Sequence, residues 1–260
     1  MHSKTDYYNY KMTDFIFIIQ ARTGSTRLPN KMLMPFNEGL TIPQIIIRKL
    51  RANFFDIPVV LATTVNKLDD NLVACLELED CEIYRGDEDN VVQRFVDVEK
   101  HLSAKAVIRI CADNPFLDMH LLKELMTNWK SEYDYLAHQI NGKPSMKTAY
   151  GFFAEITTFN SLKKVLLETS LPLYLEHVTN YVYQHEDLFN VKWIPVDHVF
   201  KSNENVRLTV DTINDFENAS SVYKSLIEIK EHFIYKDVIE TVKISNFMES
   251  MIKENNNNAK

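Results

Sequence analysis

Short apolar runs alternating with helix-length amphipathic segments set the strongest limit on how this chain can fold. Residues 15–19, 59–62 and 106–111 have the length and apolar character of strands buried on both faces. A helix starts near Thr41, a candidate cap with Pro43 in its first turn. Further helical segments cover residues 68–78, 90–101 and 118–129, and a short strand at 82–84 separates the first two of these. The order βαβαβαβα predicts an α/β fold of three layers, with a mostly parallel sheet covered by helices on both faces. Such sheets bind ligands at the C-terminal ends of their strands, near the point where strand order reverses.

The second half is less regular. Residues 133–137, 152–156, 191–196 and 206–210 read as strands, and 162–168, 173–185, 213–229 and 235–242 as helices. Asn141 and Gly142 carry turn chemistry within a polar excursion over residues 138–149. At about 150 residues per domain, 260 residues correspond to about 1.7 domains. One domain over residues 15–245 is expected, with an N-terminal extension over 1–14 and a tail over 246–260. The Asn-rich end of that tail is expected to be disordered.

Composition excludes several classes of function. With 45% hydrophobic and 25% charged residues the chain can fold around a core, and its net charge of −7 argues against nucleic acid or an anionic membrane as partner. No apolar run approaches the roughly 20 residues of a membrane span. The first 14 residues are polar, without the apolar centre of a signal peptide. Cys75, Cys81 and Cys111 form no even framework and read as reduced thiols, so a cytoplasmic location is expected. Only five glycines occur, and each is expected where the backbone needs one.

The richest segment is Gln-Ala-Arg-Thr-Gly-Ser-Thr-Arg-Leu-Pro-Asn-Lys at residues 20–31, directly after the first strand. Arg22, Arg27 and Lys31 suit phosphate oxygens, Ser25 adds a hydroxyl, and Gly24 lets backbone N–H groups approach closely. The loop is neither a Walker A loop nor a G-x-G-x-x-G turn. Asp113 and Asp211 each follow a predicted strand, where a carboxylate projects into the ligand cleft. Two such carboxylates can hold Mg²⁺ together with phosphates and water, although an aspartate so placed, taken alone, is more often a helix cap.

Taken in order, these motifs resemble the cytidylyltransferase family. Ala-Arg-x-Gly-Ser-x-Arg-Leu-Pro-x-Lys from Ala21 to Lys31 is followed by Ala-Thr-Thr ending at Thr64 and Asp-x-Pro-Phe from Asp113. Glu-His-Val-Thr from Glu176 and Leu-Thr-Val-Asp-Thr around Asp211 complete the series. The family includes CMP-Kdo synthetase and acylneuraminate cytidylyltransferase, and the nearest branch is the spore-coat polysaccharide biosynthesis protein F group. The resemblance spans about residues 15–229. It implies a GT-A-like nucleotide-binding fold with a mixed sheet, CTP as substrate, Mg²⁺ as cofactor, a sugar-acid acceptor and a homodimer. It also implies roles: Arg22, Ser25, Arg27 and Lys31 around the triphosphate, with Ala21 and Gly24 in the same loop. Thr63, Thr64, Asp87 and Arg94 lie in segments lining the nucleotide site, and Asp113 and Asp211 match the metal-binding aspartates. Arg22, Lys31, Asp113 and Asp211 are the expected catalytic set, and His138, Phe153, Glu155, Glu176 and His177 the expected acceptor-facing one.

Two departures stand out. Ala112 occupies a position usually Gly in the nearest branch, and Phe153 one that is often acidic. An aromatic ring there predicts a less hydroxylated acceptor. Two other classes compete with a CTP-dependent transferase making a CMP-sugar. A GT-A glycosyltransferase would usually carry Asp-x-Asp, which Ala112-Asp113-Asn114 lacks. A non-catalytic nucleotide-binding subunit would have no need of the basic loop and both aspartates.

Overall fold

The computed structural model describes residues 13–258 apart from 101, 103, 231, 245 and 246. The extension expected over residues 1–14 therefore lies almost wholly outside the described residues. Eight strands form one mixed sheet: β1 (Thr13–Gln20), β2 (Val59–Thr64), β3 (Glu82–Gly86), β4 (Ala104–Cys111), β5 (Tyr135–Ile140), β6 (Lys143–Pro144), β7 (Glu155–Thr158) and β8 (Val191–Pro195). Their order is β3-β2-β1-β4-β7-β5-β6, with β8 also on β5. The first four strands run parallel, and β7 is antiparallel to both β4 and β5. Strand order reverses between β1 and β4, so the segments leaving these two strands meet at the sheet's C-terminal end.

The apolar runs are continuous because both faces of the sheet are covered. Phe17, Ile19, Leu61, Ile108 and Ile110 pack on one side with α1 (Ile42–Asn53), α4 (Met119–Thr127) and α9 (Ile213–Ile229). Their neighbours Ile16, Ile18, Val60 and Val107 pack on the other with α3 (Val91–Glu99) and α5 (Phe159–Glu168). This is the period-two alternation of a strand between two cores. Thr41 and Gln44 form a capping box at α1, with Pro in the first turn as expected.

Three elements differ from the sequence reading. Residues 206–210 form no strand. Their N–H groups go to separate loops, Leu208 and Thr209 to the Ala149 carbonyl at 2.7 and 3.1 Å and Val210 to that of Asp113 at 2.9 Å, so no ladder can develop. Gly151, at φ +71°, permits this crossing, since a Cβ would stand 3.2 Å from the backbone of Leu208 and Thr209. Residues 173–185 break into α6 (Pro172–Glu176) and α7 (Asn180–Gln184). Between them the Thr179 hydroxyl donates to the buried Glu155 carboxylate at 2.8 Å, drawing the chain inward. The tail expected to end in disorder instead forms α11 (Phe247–Asn258), which follows α10 (Tyr235–Ile244). Phe247, Met251 and Glu254 share a face, and the Glu254 carboxylate accepts from the Thr212 hydroxyl at 2.9 Å. Among the described residues no helix is long and apolar enough to cross a membrane.

One buried carboxylate fixes how the chain leaves β1. Asp69 Oδ1 accepts from both the backbone N–H and the hydroxyl of Thr23, each at 2.7 Å. Its Oδ2 accepts from the Thr63 hydroxyl at 3.0 Å and from the backbone N–H and hydroxyl of Thr64 at 3.2 and 2.5 Å. Burial pushes the Asp69 carboxyl up, but the bonds from Thr64, Thr23 and Thr63 outweigh this and hold it below its ordinary 3.8. A carboxylate with a lowered folded-state pKa contributes stability that is present at neutral pH and lost as pH falls through that lowered value. Asp69→Asn turns an NH₂ group toward these donors and is expected to cost about 1–3 kcal/mol at pH 7. Urea denaturation at pH 7 and pH 3 should show the deficit shrinking in acid. An equal deficit at both would mean that the charge of Asp69 is immaterial.

Candidate active site

A cleft of about 610 Å³ opens beyond the C-terminal ends of β1 and β4. The loop after β1 supplies Ala21, Arg22, Gly24, Ser25, Arg27 and Lys31 to its walls. The segment after β4 adds Asp113, and the crossing segment adds Asp211. Glu176 and His177 close the far side. The loop is internally tied: the Thr23 carbonyl accepts from the N–H of Ser25 and Asn30 at 2.8 and 3.1 Å. Asn30, at φ 59°, turns the chain into a single 3₁₀ turn that starts at Lys31. Gly24 lies outside the left-handed region and a Cβ on it would meet nothing within 4 Å, so it leaves room rather than relieving strain.

Lys31 joins the two aspartates. Its ammonium donates to the Val210 carbonyl at 2.7 Å and to Asp113 Oδ2 at 3.2 Å, and it stands 3.7 Å from Asp211 Oδ1. Arg27 reaches the same Oδ1 at 2.8 Å. Neither aspartate is a helix cap, because Asp118 caps α4 and Thr212 caps α9. Burial, and then the charge of Asp113, push the Asp211 carboxyl above its ordinary value. Two oxygen-donor carboxylates facing one cleft fit Mg²⁺, which takes its remaining ligands from phosphates and water. Among the described residues no cluster of three or more His, Cys, Asp or Glu is set to hold a metal by protein ligands alone.

Sequence reasoning missed two arginines that line this cleft. Arg207 is buried, and its guanidinium forks onto Asp215 and touches Asp211. Its only signal was a charge inside an apolar stretch that read as a strand. Arg109 donates to the Gln20 side-chain carbonyl at 3.0 and 3.1 Å and to Glu155 at 2.5 Å. Burial pushes the neighbouring Cys111 thiol up to about 11, which keeps it protonated and poor as a nucleophile.

Several expected site residues do not reach the cleft. Glu155 is fully buried beneath it, bonded to Arg109, Tyr135 and Thr179, because its strand position points into the layer under the sheet. His138 is buried and paired with Glu124 at 3.2 Å, so it is an interior residue and not an acceptor-facing one. Thr63 and Thr64 are consumed by Asp69. Asp87 accepts from the N–H groups of Asp89 and Asn90 at 2.9 and 2.7 Å. Arg94 is buried beside Gly86 and donates to the Asp87 carbonyl at 3.1 Å. These four flank the loop on the β2–β3 side without lining the cleft itself. Phe153 touches the cleft floor but is 2% exposed, its ring packed 5.1 Å from Phe200 and 5.2 Å from His138. Its aromatic character is explained by that packing, which removes the support for reading acceptor hydroxylation from it. Glu176 and His177 line the cleft, with Glu176 paired with Arg22 at 3.0 Å. Burial lowers the pKa of His177 from its ordinary value, against the opposing charge of Glu176.

Comparison with known proteins agrees with this architecture. The sequence pattern of the cytidylyltransferase family matches residues 16–253. The chain is 31% identical to the spore coat polysaccharide biosynthesis protein SpsF of Bacillus subtilis, over 82% of this chain and 88% of that one. A cytidylyltransferase structure from Leptospira borgpetersenii superposes with a TM-score of 0.80 at 27% identity, covering 92% of this chain and 97% of the other. The CMP:2-keto-3-deoxy-manno-octonic acid synthetase structure in complex with CTP shares the fold, with a TM-score of 0.58 at 16% identity over 82% and 99% of the two chains. The chain belongs to the cytidylyltransferase family and is a nucleotidyltransferase.

Proposed function

We propose that the enzyme uses CTP to convert a sugar, most simply a keto-sugar acid, into its CMP derivative with release of pyrophosphate. The observation that carries this is the meeting of Arg22, Arg27 and Lys31 with Asp113 and Asp211 in one cleft of a cytidylyltransferase fold. Likeness to SpsF supports a polysaccharide precursor as the product's destination. Family membership sets aside the glycosyltransferase alternative, and the intact constellation of cations and carboxylates argues against a non-catalytic subunit. The same reading takes the enzyme to be a cytoplasmic homodimer, as its composition and its resemblance to related synthetases suggest.

In this reaction an acceptor hydroxyl oxygen bonds to the α-phosphorus, the bond from that phosphorus to the β-phosphate bridge breaks, and the hydroxyl proton leaves. Arg22, Arg27 and Lys31 hold the triphosphate in line and neutralise the charge that builds on pyrophosphate. Asp113 and Asp211 are the residues that would hold Mg²⁺, which when bound polarises the α-phosphate and acidifies a coordinated hydroxyl. Glu176, released from Arg22 when phosphates engage that arginine, presents a carboxylate to acceptor hydroxyls beside His177.

CTP with Mg²⁺ should raise the melting temperature more than ATP, GTP or UTP. At 100 times Kd the stabilisation is about 2.7 kcal/mol. Equal shifts for all four nucleotides would defeat the cytidine assignment. Asp113→Asn and Asp211→Asn should each lower turnover by about 100-fold or more, the scale of removing one strong electrostatic contact. Their ligand-free melting temperatures should hold or rise, because the repulsion between the two carboxylates is relieved. A variant that is destabilised but normally active per folded molecule would mark its aspartate as structural.

A further inference from the structure

We infer that Arg207 is a positioning residue that sets which oxygen of Asp211 faces the cleft; the inference rests on the proposed role of Asp211 in holding the metal. Asp211 lies on a segment that no ladder supports, so its orientation needs another source. That source is Asp215, a buried carboxylate in the first turn of α9. Its Oδ2 accepts from the backbone N–H of Asp211 at 3.0 Å and of Thr212 at 2.9 Å, which fixes the main chain at Asp211. Both Asp215 oxygens also take the Arg207 fork, Nε at 2.7 Å and Nη2 at 3.0 Å. Nη2 has a second partner, Asp211 Oδ2, at 3.3 Å. With Oδ2 held on the Arg207 side, the other oxygen, Oδ1, is the one turned to Arg27 and Lys31 and so toward Asp113. A planar guanidinium does this where an ammonium cannot, because its N–H groups are fixed relative to one another. The carboxylate behind a ligand's partner is a recurrent way to orient that ligand, and losing it typically weakens metal affinity by about 10–100-fold.

Arg207→Ala would strand the buried Asp215 carboxylate and mix folding with chemistry. Two gentler changes avoid this: Arg207→Lys, which keeps the charge but loses the fork, and the double variant Arg207→Gln with Asp215→Asn, which replaces the ion pair by neutral hydrogen-bonding groups. Mn²⁺ serves as the probe, titrated by electron paramagnetic resonance into each full-length protein with CTP present, next to wild type and Asp211→Asn. CTP binding is measured separately in EDTA, and folding by circular dichroism. Both gentler variants should bind Mn²⁺ about tenfold or more weakly, with metal-free CTP affinity unchanged. Wild-type Mn²⁺ affinity in either folded variant, while Asp211→Asn loses it, would overturn the positioning role alone. Wild-type Mn²⁺ affinity in Asp211→Asn would overturn the metal reading of Asp211 and this inference with it. A fall in metal-free CTP affinity would make Arg207 a nucleotide contact and overturn it as well.

Discussion

The Lys31 ammonium ties together three separate parts of the chain. It sits in the loop after β1, touches Asp113 after β4, and bonds the Val210 carbonyl beside Asp211 on the crossing segment. Two carboxylates facing one cleft repel each other, and the Asp211 carboxyl is pushed up first by its burial and then by that repulsion. A cation between them is the simplest compensation. Because it is a side chain, it also fixes the distance between the loop and the crossing segment.

The sheet makes the junction possible by placing the switch point between β1 and β4. Parallel strands send both exits to the same end, whereas the crossing segment must arrive from the second half of the chain and cannot join the sheet. It is pinned instead by bonds to Ala149 and Asp113, by the close approach that Gly151 allows, and by α11 through Glu254. The C-terminal helix is thereby part of the support of the site and not an appendage. Asp69 does the corresponding work on the other side, tying Thr23 to the end of β2.

What could be read from the sequence followed how local each signal is. The apolar runs at β1, β2 and β4 and the cap at Thr41 depend on neighbours a few residues away, and they predicted the layered fold. Arg22, Arg27, Lys31, Asp113 and Asp211 stand in compact motifs and converge in the cleft. The failures involve contacts distant in sequence. Residues 206–210 have a strand's composition, but nothing local reveals that their partners are Ala149 and Asp113. Glu155 was expected to face the acceptor through the family resemblance alone, yet its partner Arg109 lies 46 residues away. The Asn-rich end of the tail masked the spacing of Phe247, Met251 and Glu254, which only a docked helix uses.

The arrangement of charge also explains how a chain of net charge −7 can present a site for a polyanion. Six cations line the cleft against three carboxylates, but Arg109 and Arg207 are neutralised from beneath by Glu155 and Asp215. Of the four that remain, Arg22 lies on Glu176, Arg27 on Asp211, Lys31 between Asp113 and Asp211, and Lys147 over the Tyr183 ring. The fixed charges of the cleft therefore nearly balance, with one cation in excess, and Arg22, Arg27 and Lys31 are each held by a carboxylate. On the proposed function, a triphosphate arriving with its cation exchanges partners on both sides: phosphates take the arginines and the lysine, and the cation takes the aspartates. Either ligand alone would leave half of these groups unpaired in a site where an unpaired charge is costly. Nucleotide and metal are thus favoured together over either one separately, and this coupling follows from the ion pairs within the cleft.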